Sequence, residues 1–409
     1  MSFFMASNVC HPQEHDTNQR SSKLQVTILA SEWGSSHGWV STIIRELAIQ
    51  LAKFANVKLT FFLPTGKCSK EDKKAAEGHG ICIREAIKRP GYNELEWLSF
   101  PPKDLSISVV VGHGIKLGRQ AQFIRDSHNC KWVQVAYTDA VDRGRFQSFD
   151  NRISVVEEEH QTEVLLCKMA DLVVGVGPKL TDAFRRYLCW CKNDESIYQL
   201  TPGVFSDLFD IEHVLFKRKH CILVCGHGDA EDFKGNGFDI AAISVAAVPD
   251  TQLRLVTERK KNNEEITKKI VNLGIPETHL MVTVYKDSPD FLRRLFCEVD
   301  LLLMPSRTEG FGLIGLQALS AGLPVIVSKK SGFGEALDSV TFGSSFVIDS
   351  EDTKKWTEAI KRILEKGRES PLQEVKTARD SYDRAYSWSE QCKGLIKKMV
   401  NCLDGMSHI

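Results

Sequence analysis

Short apolar segments of strand length alternate with longer, helix-like segments along most of this 409-residue sequence. In the first half, this pattern predicts strands at 24–29, 57–63, 107–111, 132–136, 172–176 and 197–200, and helices at 41–54, 115–124, 153–169 and 180–191. Such alternation is typical of a parallel sheet with helices on both faces, because parallel strands need long crossover connections. The sequence therefore predicts an α/β, doubly wound fold.

The alternation pauses at Thr201-Pro202-Gly203 and then begins again. The second half predicts strands at 221–225, 252–256, 281–285, 299–304 and 325–327, with helices at 237–248, 262–273, 290–296, 352–365 and 389–400. We therefore expect two sheet domains, at 23–203 and 204–385, facing a cleft. A C-terminal segment at 386–409 should form a closing helix, and the polar segment 1–22 should be a disordered tail.

Charge and cysteine content exclude several classes of protein. The 53 Lys and Arg residues equal the 53 Asp and Glu residues, which argues against bulk attraction to nucleic acid or to an anionic membrane. No apolar run is long enough for a transmembrane helix. The 12 cysteines follow no common zinc or disulfide spacing. We expect a cytoplasmic protein without a metal site.

An acidic residue and two glycines lie where a predicted strand gives way to a helix. Glu309, Gly310 and Gly312 follow the apolar run 301–305. The carboxyl ends of parallel strands form a crevice for ligands, and a helix N-terminus there offers free N–H groups to an anion. A tight turn with a solvated glutamate would give the same local pattern, so companion sites are needed to decide.

Three further stretches follow predicted strands. Gly34 and Gly38 lie in the loop before the first helix, His113 stands between two glycines, and His227 precedes Lys234 in a glycine-containing loop. A lysine in such a loop suits a pyrophosphate. An ordinary loop, a structural histidine and a surface lysine remain the alternatives.

Other enzyme classes fit the sequence poorly. The stretch around His113 misses the spacing of the dinucleotide fingerprint, which disfavours a Rossmann oxidoreductase. No Gly-x-Ser-x-Gly elbow and no His-x-x-x-His pair occurs, so a serine hydrolase and a metalloenzyme are also disfavoured.

Glu309-Gly-Phe-Gly, followed by Gln317 eight positions after the glutamate and then by Ala321-Gly-Leu-Pro-Val, resembles the nucleotide-sugar site of retaining glycosyltransferases of family 4. The resemblance extends over roughly 24–400. It implies the GT-B fold, in which two Rossmann-like domains face a cleft and the last helix crosses back to the N-terminal domain. The N-terminal domain would be the acceptor side and the C-terminal domain the donor side.

The resemblance also implies roles for individual residues. Lys234 would neutralise the diphosphate of a nucleotide diphosphate sugar, Gln317 would accept the ribose hydroxyls, and the Gly34–Gly38 loop would approach the diphosphate or the acceptor. Glu309, His113 and Tyr137 are the catalytic candidates. The donor sugar and phosphate would be held by Glu309 and by the backbone amides of Gly310, Phe311, Gly312 and Leu313. Such enzymes generally need no metal and no further cofactor, since charge stabilisation at the leaving group drives the reaction.

Four residues depart from the family pattern. Gln317 replaces a glutamate, His227 an arginine, Trp39 a glycine, and Tyr137 a frequent histidine. Because all four belong to the expected cleft, two functions stay open. One is sugar transfer at full or weakened rate. The other is an inactive GT-B scaffold that binds a nucleotide, a glycan or a flat hydrophobic ligand such as a pigment, with Trp39 as a stacking candidate.

Overall fold

The computed structural model describes residues 23–34, 39–145, 153–209, 219–226, 232–257, 263–285, 289–366 and 369–404. The predicted disordered tail at 1–22 lies outside these residues.

The first half of the chain forms a seven-stranded sheet with the order β3-β2-β1-β4-β5-β6-β7, in which neighbouring strands pair in parallel. The strands are β1 (Leu24–Leu29), β2 (Val57–Pro64), β3 (Cys82–Ala86), β4 (Val109–His113), β5 (Lys131–Ala136), β6 (Leu172–Val176) and β7 (Ile197–Leu200). The helices are α1 (Trp39–Ala52), α2 (Lys70–Gly78), α3 (Gly114–Ser127), α4 (Ala140–Gly144), α5 (Ile153–Met169) and α6 (Pro178–Leu188).

The second half forms a six-stranded parallel sheet with the order β10-β9-β8-β11-β12-β13. Its strands are β8 (His220–Gly226), β9 (Thr251–Thr257), β10 (Leu280–Val284), β11 (Leu301–Met304), β12 (Val325–Ser328) and β13 (Val347–Ile348). Its helices are α7 (Phe238–Ala246), α8 (Asn263–Asn272), α9 (Pro289–Cys297), α10 (Leu313–Ser320), α11 (Gly332–Asp338) and α12 (Thr353–Glu365). Two more helices follow, α13 (Glu369–Ala385) and α14 (Trp388–Asp404).

Central strands of both sheets are buried on both faces. Every residue of β4, β6, β11 and β12 is buried, and most of them are Val, Leu or Ile. Such continuous apolar strands are expected where helices cover both faces of a parallel sheet. The predicted fold class, two Rossmann-like doubly wound domains, is confirmed.

The last helix returns to the first domain. The hydroxyl of Tyr198 in β7 donates to the backbone oxygen of Gln391 in α14 at 2.7 Å, and the Thr201 amide donates to Gln391 Oε1 at 2.9 Å. On α14, Trp388, Cys392, Leu395, Ile396 and Met399 are buried. The predicted crossing helix is therefore confirmed, whereas the boundaries at 203/204 and 385/386 stay predictions.

None of the helices described here has the length and apolarity needed to cross a membrane.

Candidate active site

Each sheet has a point at which the order of its strands reverses. In the first sheet this point lies between β1 and β4, and in the second between β8 and β11. Ligands of open α/β sheets bind in the crevice that the carboxyl ends of strands leave at such a point. These ends carry the predicted stretches: Gly34 follows β1, His113 ends β4, Lys234 follows β8, and Glu309 follows β11.

In the C-terminal domain, helix α10 begins directly after Gly312. Gly312 has a φ of 90°, in the left-handed region, and an added Cβ would lie 2.8 Å from Met304 Cε. The left-handed φ favours glycine, whereas the Met304 methyl group is the end of a flexible side chain and can shift. The first amides of a helix lack partners within the helix and carry partial positive charge, so the start of α10 at Leu313 can receive an anion. Glu309 lies half-buried just before this turn.

Arg307 forms hydrogen bonds with the loop that contains Lys234, just before the stretch Glu309–Leu313. Its backbone amide donates to the Gly235 carbonyl at 2.8 Å, and its Nη1 donates to the Lys234 carbonyl at 2.7 Å. The same guanidinium makes a two-bond contact with Asp239, at 2.7 and 3.0 Å. The Lys234 side chain remains exposed. The backbone of the Lys234 loop is thus bonded to the segment that leads into α10, although Lys234 and Leu313 lie 79 positions apart in the sequence.

Gln317 lies in the second turn of α10 and is only 3% exposed. Its Oε1 is buried and has no hydrogen-bond partner among the described residues. A buried polar atom of this kind costs free energy unless a ligand or water satisfies it.

In the N-terminal domain, His113 and Tyr137 form a buried pair at the ends of β4 and β5. His113 Nδ1 and the Tyr137 hydroxyl are 2.8 Å apart. Burial lowers the pKa of His113 to about 3 and raises the pKa of Tyr137, so both side chains are neutral at pH 7. The other ring nitrogen of His113, Nε2, is buried with no partner in the described part of the chain. The pair can therefore supply neutral hydrogen bonds.

A cavity of about 570 Å³ opens beside this pair. Its wall includes Ser31, His113 and Tyr137 together with two ion pairs, Lys67–Glu94 at 2.8 Å and Arg143–Glu159. Glu163 of α5 also lines the cavity, and burial, reinforced by the nearby Asp139, raises its pKa to about 8.

Sequence reasoning missed Glu163, which lies in a helix rich in surface glutamates. The signal that it gave was weak, since Glu163 differs from the three consecutive glutamates at 157–159 only in standing apart from them, next to apolar positions.

The two domains meet across the cleft. A Cβ added at Gly310 would collide with the Tyr137 carbonyl oxygen. A Cβ added at Gly177 would lie 2.6 Å from the ring of Phe311. Gly310 thus permits contact between the domains, in addition to any approach of a ligand. The stretch that begins at Glu309 therefore contacts the backbone of Tyr137, one member of the His113–Tyr137 pair.

Some predicted site residues cannot be placed. Gly38 and His227 lie outside the described residues, and of Trp39 only the backbone is described, where it begins α1. Gly34 lies half-buried in the bend after β1. The other predicted positions, His113, Tyr137, Lys234 and the stretch from Glu309 to Gln317, are brought together at the cleft.

Comparisons with known proteins agree with this geometry. Residues 27–395 match the family described as "Family 4 Glycosyltransferase in conflict systems". The D-inositol 3-phosphate glycosyltransferase of Corynebacterium urealyticum is 23% identical over 313 residues, covering 72% of this chain and 71% of that protein. The protein of the same name from Corynebacterium diphtheriae is 23% identical over 276 residues, covering 63% of this chain and 62% of its own length.

Solved structures show the same fold. Sucrose-phosphate synthase from Thermosynechococcus elongatus superposes with a TM-score of 0.69 at 17% identity, covering 94% of this chain and all of that chain (100%). Anabaena HepE, solved with UDP and glucose, gives a TM-score of 0.67 at 14% identity, covering 92% of this chain and 99% of that one. The family match spans most of the sequence, and the fold and the cleft agree with it. This chain therefore belongs to the family 4 glycosyltransferases of conflict systems.

Proposed function

We propose that this glycosyltransferase takes its sugar from a nucleotide diphosphate sugar and transfers it with retention of the anomeric configuration. The observation that carries the proposal is the attachment of the Lys234 loop to Arg307, because it ties a loop with the exposed ammonium group of Lys234 to the segment that leads into α10. The diphosphate would lie between this ammonium and the first amides of the helix.

This arrangement suits the chemistry of the leaving group. Negative charge grows on the diphosphate as its bond to the sugar breaks, and preorganised N–H groups and cations stabilise that charge. Glu309 would hold the hydroxyls of the donor sugar, and the buried Gln317 Oε1 would accept from a ribose hydroxyl. That HepE has been solved with UDP, and also with UDP-glucose, supports a donor of this class.

The acceptor would enter from the cavity in the N-terminal domain. His113 and Tyr137 are both neutral and bonded to each other, so the pair would supply one donor, His113 Nε2–H or the Tyr137 hydroxyl depending on the tautomer, to an oxygen of the transferred sugar or of the acceptor. A neutral donor at this position orients a hydroxyl and adds no positive charge that would compete with Lys234 for the departing diphosphate. Transfer would proceed without a metal, which assays in excess EDTA can test.

A panel of nucleotide diphosphate sugars tests the proposal. With the preferred donor, the wild-type protein should release nucleoside diphosphate, and NMR of the product should show the same anomeric configuration as the donor. Glu309→Ala should abolish release, and Glu358→Ala, at an exposed position of α12, should leave it unchanged. Binding of a donor without any release would support the inactive scaffold instead. If no donor of the panel were bound and none released nucleoside diphosphate, the proposal would be refuted.

A further inference from the structure

Lys179 stands in an electrostatically unfavourable position. It is the second residue of α6, directly after Pro178, and the first turn of this helix contains no acidic residue. The N-terminus of a helix carries partial positive charge, so a lysine there is repelled by the helix itself. Such a placement needs compensation from elsewhere in the fold.

The compensation comes from both domains. Lys179 Nζ donates to Asp142 Oδ2 in α4 at 2.6 Å, to the Glu309 carbonyl at 2.9 Å and to the Lys330 carbonyl at 2.6 Å. An ammonium group has three donors, and these contacts use all of them. Asp142 belongs to the same sheet domain as Lys179, whereas Glu309 and Lys330 belong to the other, so the ammonium spans the cleft.

The two carbonyls that Lys179 holds belong to segments that are themselves joined. The Gly332 amide donates to the Gly310 carbonyl at 2.9 Å, and the Phe333 amide donates to the Phe311 carbonyl at 2.6 Å. Backbone hydrogen bonds therefore join the stretch Glu309–Leu313, the proposed donor motif, and the start of α11 into one piece. A clamp on this piece fixes both the separation of the domains and the direction in which Glu309 and the following amides face.

We propose that Lys179 is a positioning residue that clamps the donor loop of the C-terminal domain against the N-terminal domain in the transfer-competent arrangement. The role in transfer rests on the proposed function, whereas the clamp between the domains does not. Because the contact is made through a backbone carbonyl, Lys179 acts on the geometry of Glu309 without contacting the donor.

The test compares Lys179→Met with Lys192→Met. Methionine is unbranched, only one atom shorter than lysine, and has no hydrogen-bond donor. Lys192 is a matched control, because its Nζ also donates to a carbonyl, that of Ala170 at 2.5 Å, but within one domain. We expect Lys179→Met to lower kcat by about tenfold to a hundredfold, since a charge-assisted hydrogen bond contributes about 1.5–3 kcal/mol. The KM for the donor should change by less than about threefold.

Small-angle scattering supplies a readout that does not depend on turnover. Without ligand, Lys179→Met should have a larger radius of gyration than the wild-type protein, and Lys192→Met should not. An unchanged radius of gyration for Lys179→Met would overturn the clamp. A kcat loss no larger than that of Lys192→Met would overturn the positioning role. If the wild-type protein released no nucleoside diphosphate from any donor, the proposed function would fail while the scattering result still decided the clamp.

Should Lys179→Met fail to fold, Lys179→Gln decides. Glutamine keeps a polar group at this position but is shorter than lysine and uncharged, so the ammonium contacts with both carbonyls of the C-terminal domain are lost. A larger radius of gyration than that of the wild-type protein supports the clamp, and an unchanged one overturns it.

Discussion

Gln317 carries a carboxamide that is almost fully buried in α10, and its Oε1 has no hydrogen-bond partner in the described part of the chain. A group that is desolvated and unsatisfied lowers the stability of the free protein, and a ligand hydroxyl can recover that free energy. The same residue is one of the four departures from the family pattern, so its physical state bears directly on function.

Gln317→Leu tests this interpretation. Removing the unsatisfied oxygen while keeping an apolar body of similar size should leave the free energy of unfolding unchanged or raise it slightly. Donor binding should weaken about three- to tenfold, as expected for the loss of one neutral hydrogen bond. Both quantities are measured by denaturant unfolding and by titration calorimetry.

Gln120→Leu is the control for that experiment. Gln120 is a buried glutamine in the other domain, and its Oε1 accepts from Ser99 Oγ at 3.4 Å. This substitution should destabilise the protein and spare donor binding. A Gln317→Leu protein that is clearly less stable, yet binds donor as well as the wild-type protein does, would contradict the account.

Two buried residues of the cavity give stability opposite dependences on pH. His113 has its pKa lowered to about 3, so its contribution falls as pH drops from about 6.5 to 3, where only the unfolded chain takes up the proton. Glu163 has its pKa raised to about 8, so its contribution falls as pH rises from about 4.5 to 8, where only the unfolded chain releases the proton.

Glu163→Gln isolates the alkaline effect, because His113 contributes no pH dependence above about 6.5. Between pH 6.5 and 8, the free energy of unfolding of the wild-type protein should decline more steeply than that of Glu163→Gln, by up to about 1.4 kcal/mol per pH unit. Urea unfolding at each pH measures the difference. Parallel profiles in this window would show that Glu163 is not held protonated by the fold.

Among the elements, the buried strands were predictable because they are continuous apolar segments. The predicted bounds of β1, β6 and β7 agree with the structure. Sequence reasoning missed α2, whose nine residues include one that is buried, and β3, an edge strand whose residues are mostly half-exposed. It also missed α13, and α11, which is mostly buried but whose seven residues are too few to show a helical period. A period of apolar residues arises only where an element has a buried face, so polar elements at the edge give little signal.

The Lys234 loop owes its position to a connection that the sequence does not reveal. Arg307 bonds to the loop carbonyl, to Asp239 of α7 and, at 2.8 Å, to Glu351. In the sequence, Arg307 is simply an arginine two positions before Glu309, and nothing local indicates its partners. Its side chain is 11% exposed, and it organises the loop from inside the domain.

Arg307→Met should release this loop. We expect donor KM to rise about tenfold, because the Lys234 loop is no longer held to the segment that leads into α10, and the free energy of unfolding to fall by about 1–3 kcal/mol. Arg254→Met, which breaks an arginine–carboxylate pair with Glu298 elsewhere in the same domain, should cost stability and leave donor KM unchanged. Equal effects of the two substitutions on donor KM would refute the role of Arg307 in holding the Lys234 loop.

At the scale of the whole molecule, the positions of the site residues followed from topology, and their contacts did not. The predicted strand ends suffice to place Lys234, Glu309 and His113 at the carboxyl edges of the two sheets, where ligands bind. The contact of Lys179 with Glu309 joins residues 130 positions apart and has no local signature apart from a lysine in the first turn of a helix. Contacts across a cleft depend on how two domains meet, which strand and helix periods do not encode.

Helix α14 joins the two halves of the molecule through Gln391. Its side chain accepts from the Thr201 amide, which is buried, at the point where the chain leaves the first sheet. Gln391→Ala should cost about 1–3 kcal/mol of stability, because that amide loses its partner. Gln373→Ala, at an exposed position of α13, should change the free energy of unfolding by less than about 0.5 kcal/mol. A Gln391→Ala protein as stable as the Gln373→Ala control would show that the junction is not fixed by this contact.

The most direct test of the central claim is a calorimetric titration of nucleoside diphosphates into the wild-type protein, Lys234→Met and Lys355→Met. Both lysines are exposed in the same domain, but only Lys234 lies in a loop bonded to Arg307, in the segment that leads into α10. We expect the preferred nucleoside diphosphate to bind Lys234→Met about tenfold or more weakly than the wild-type protein, and Lys355→Met within about twofold of it. Equal binding to the wild-type protein and Lys234→Met, or no binding of any nucleoside diphosphate, would contradict the account.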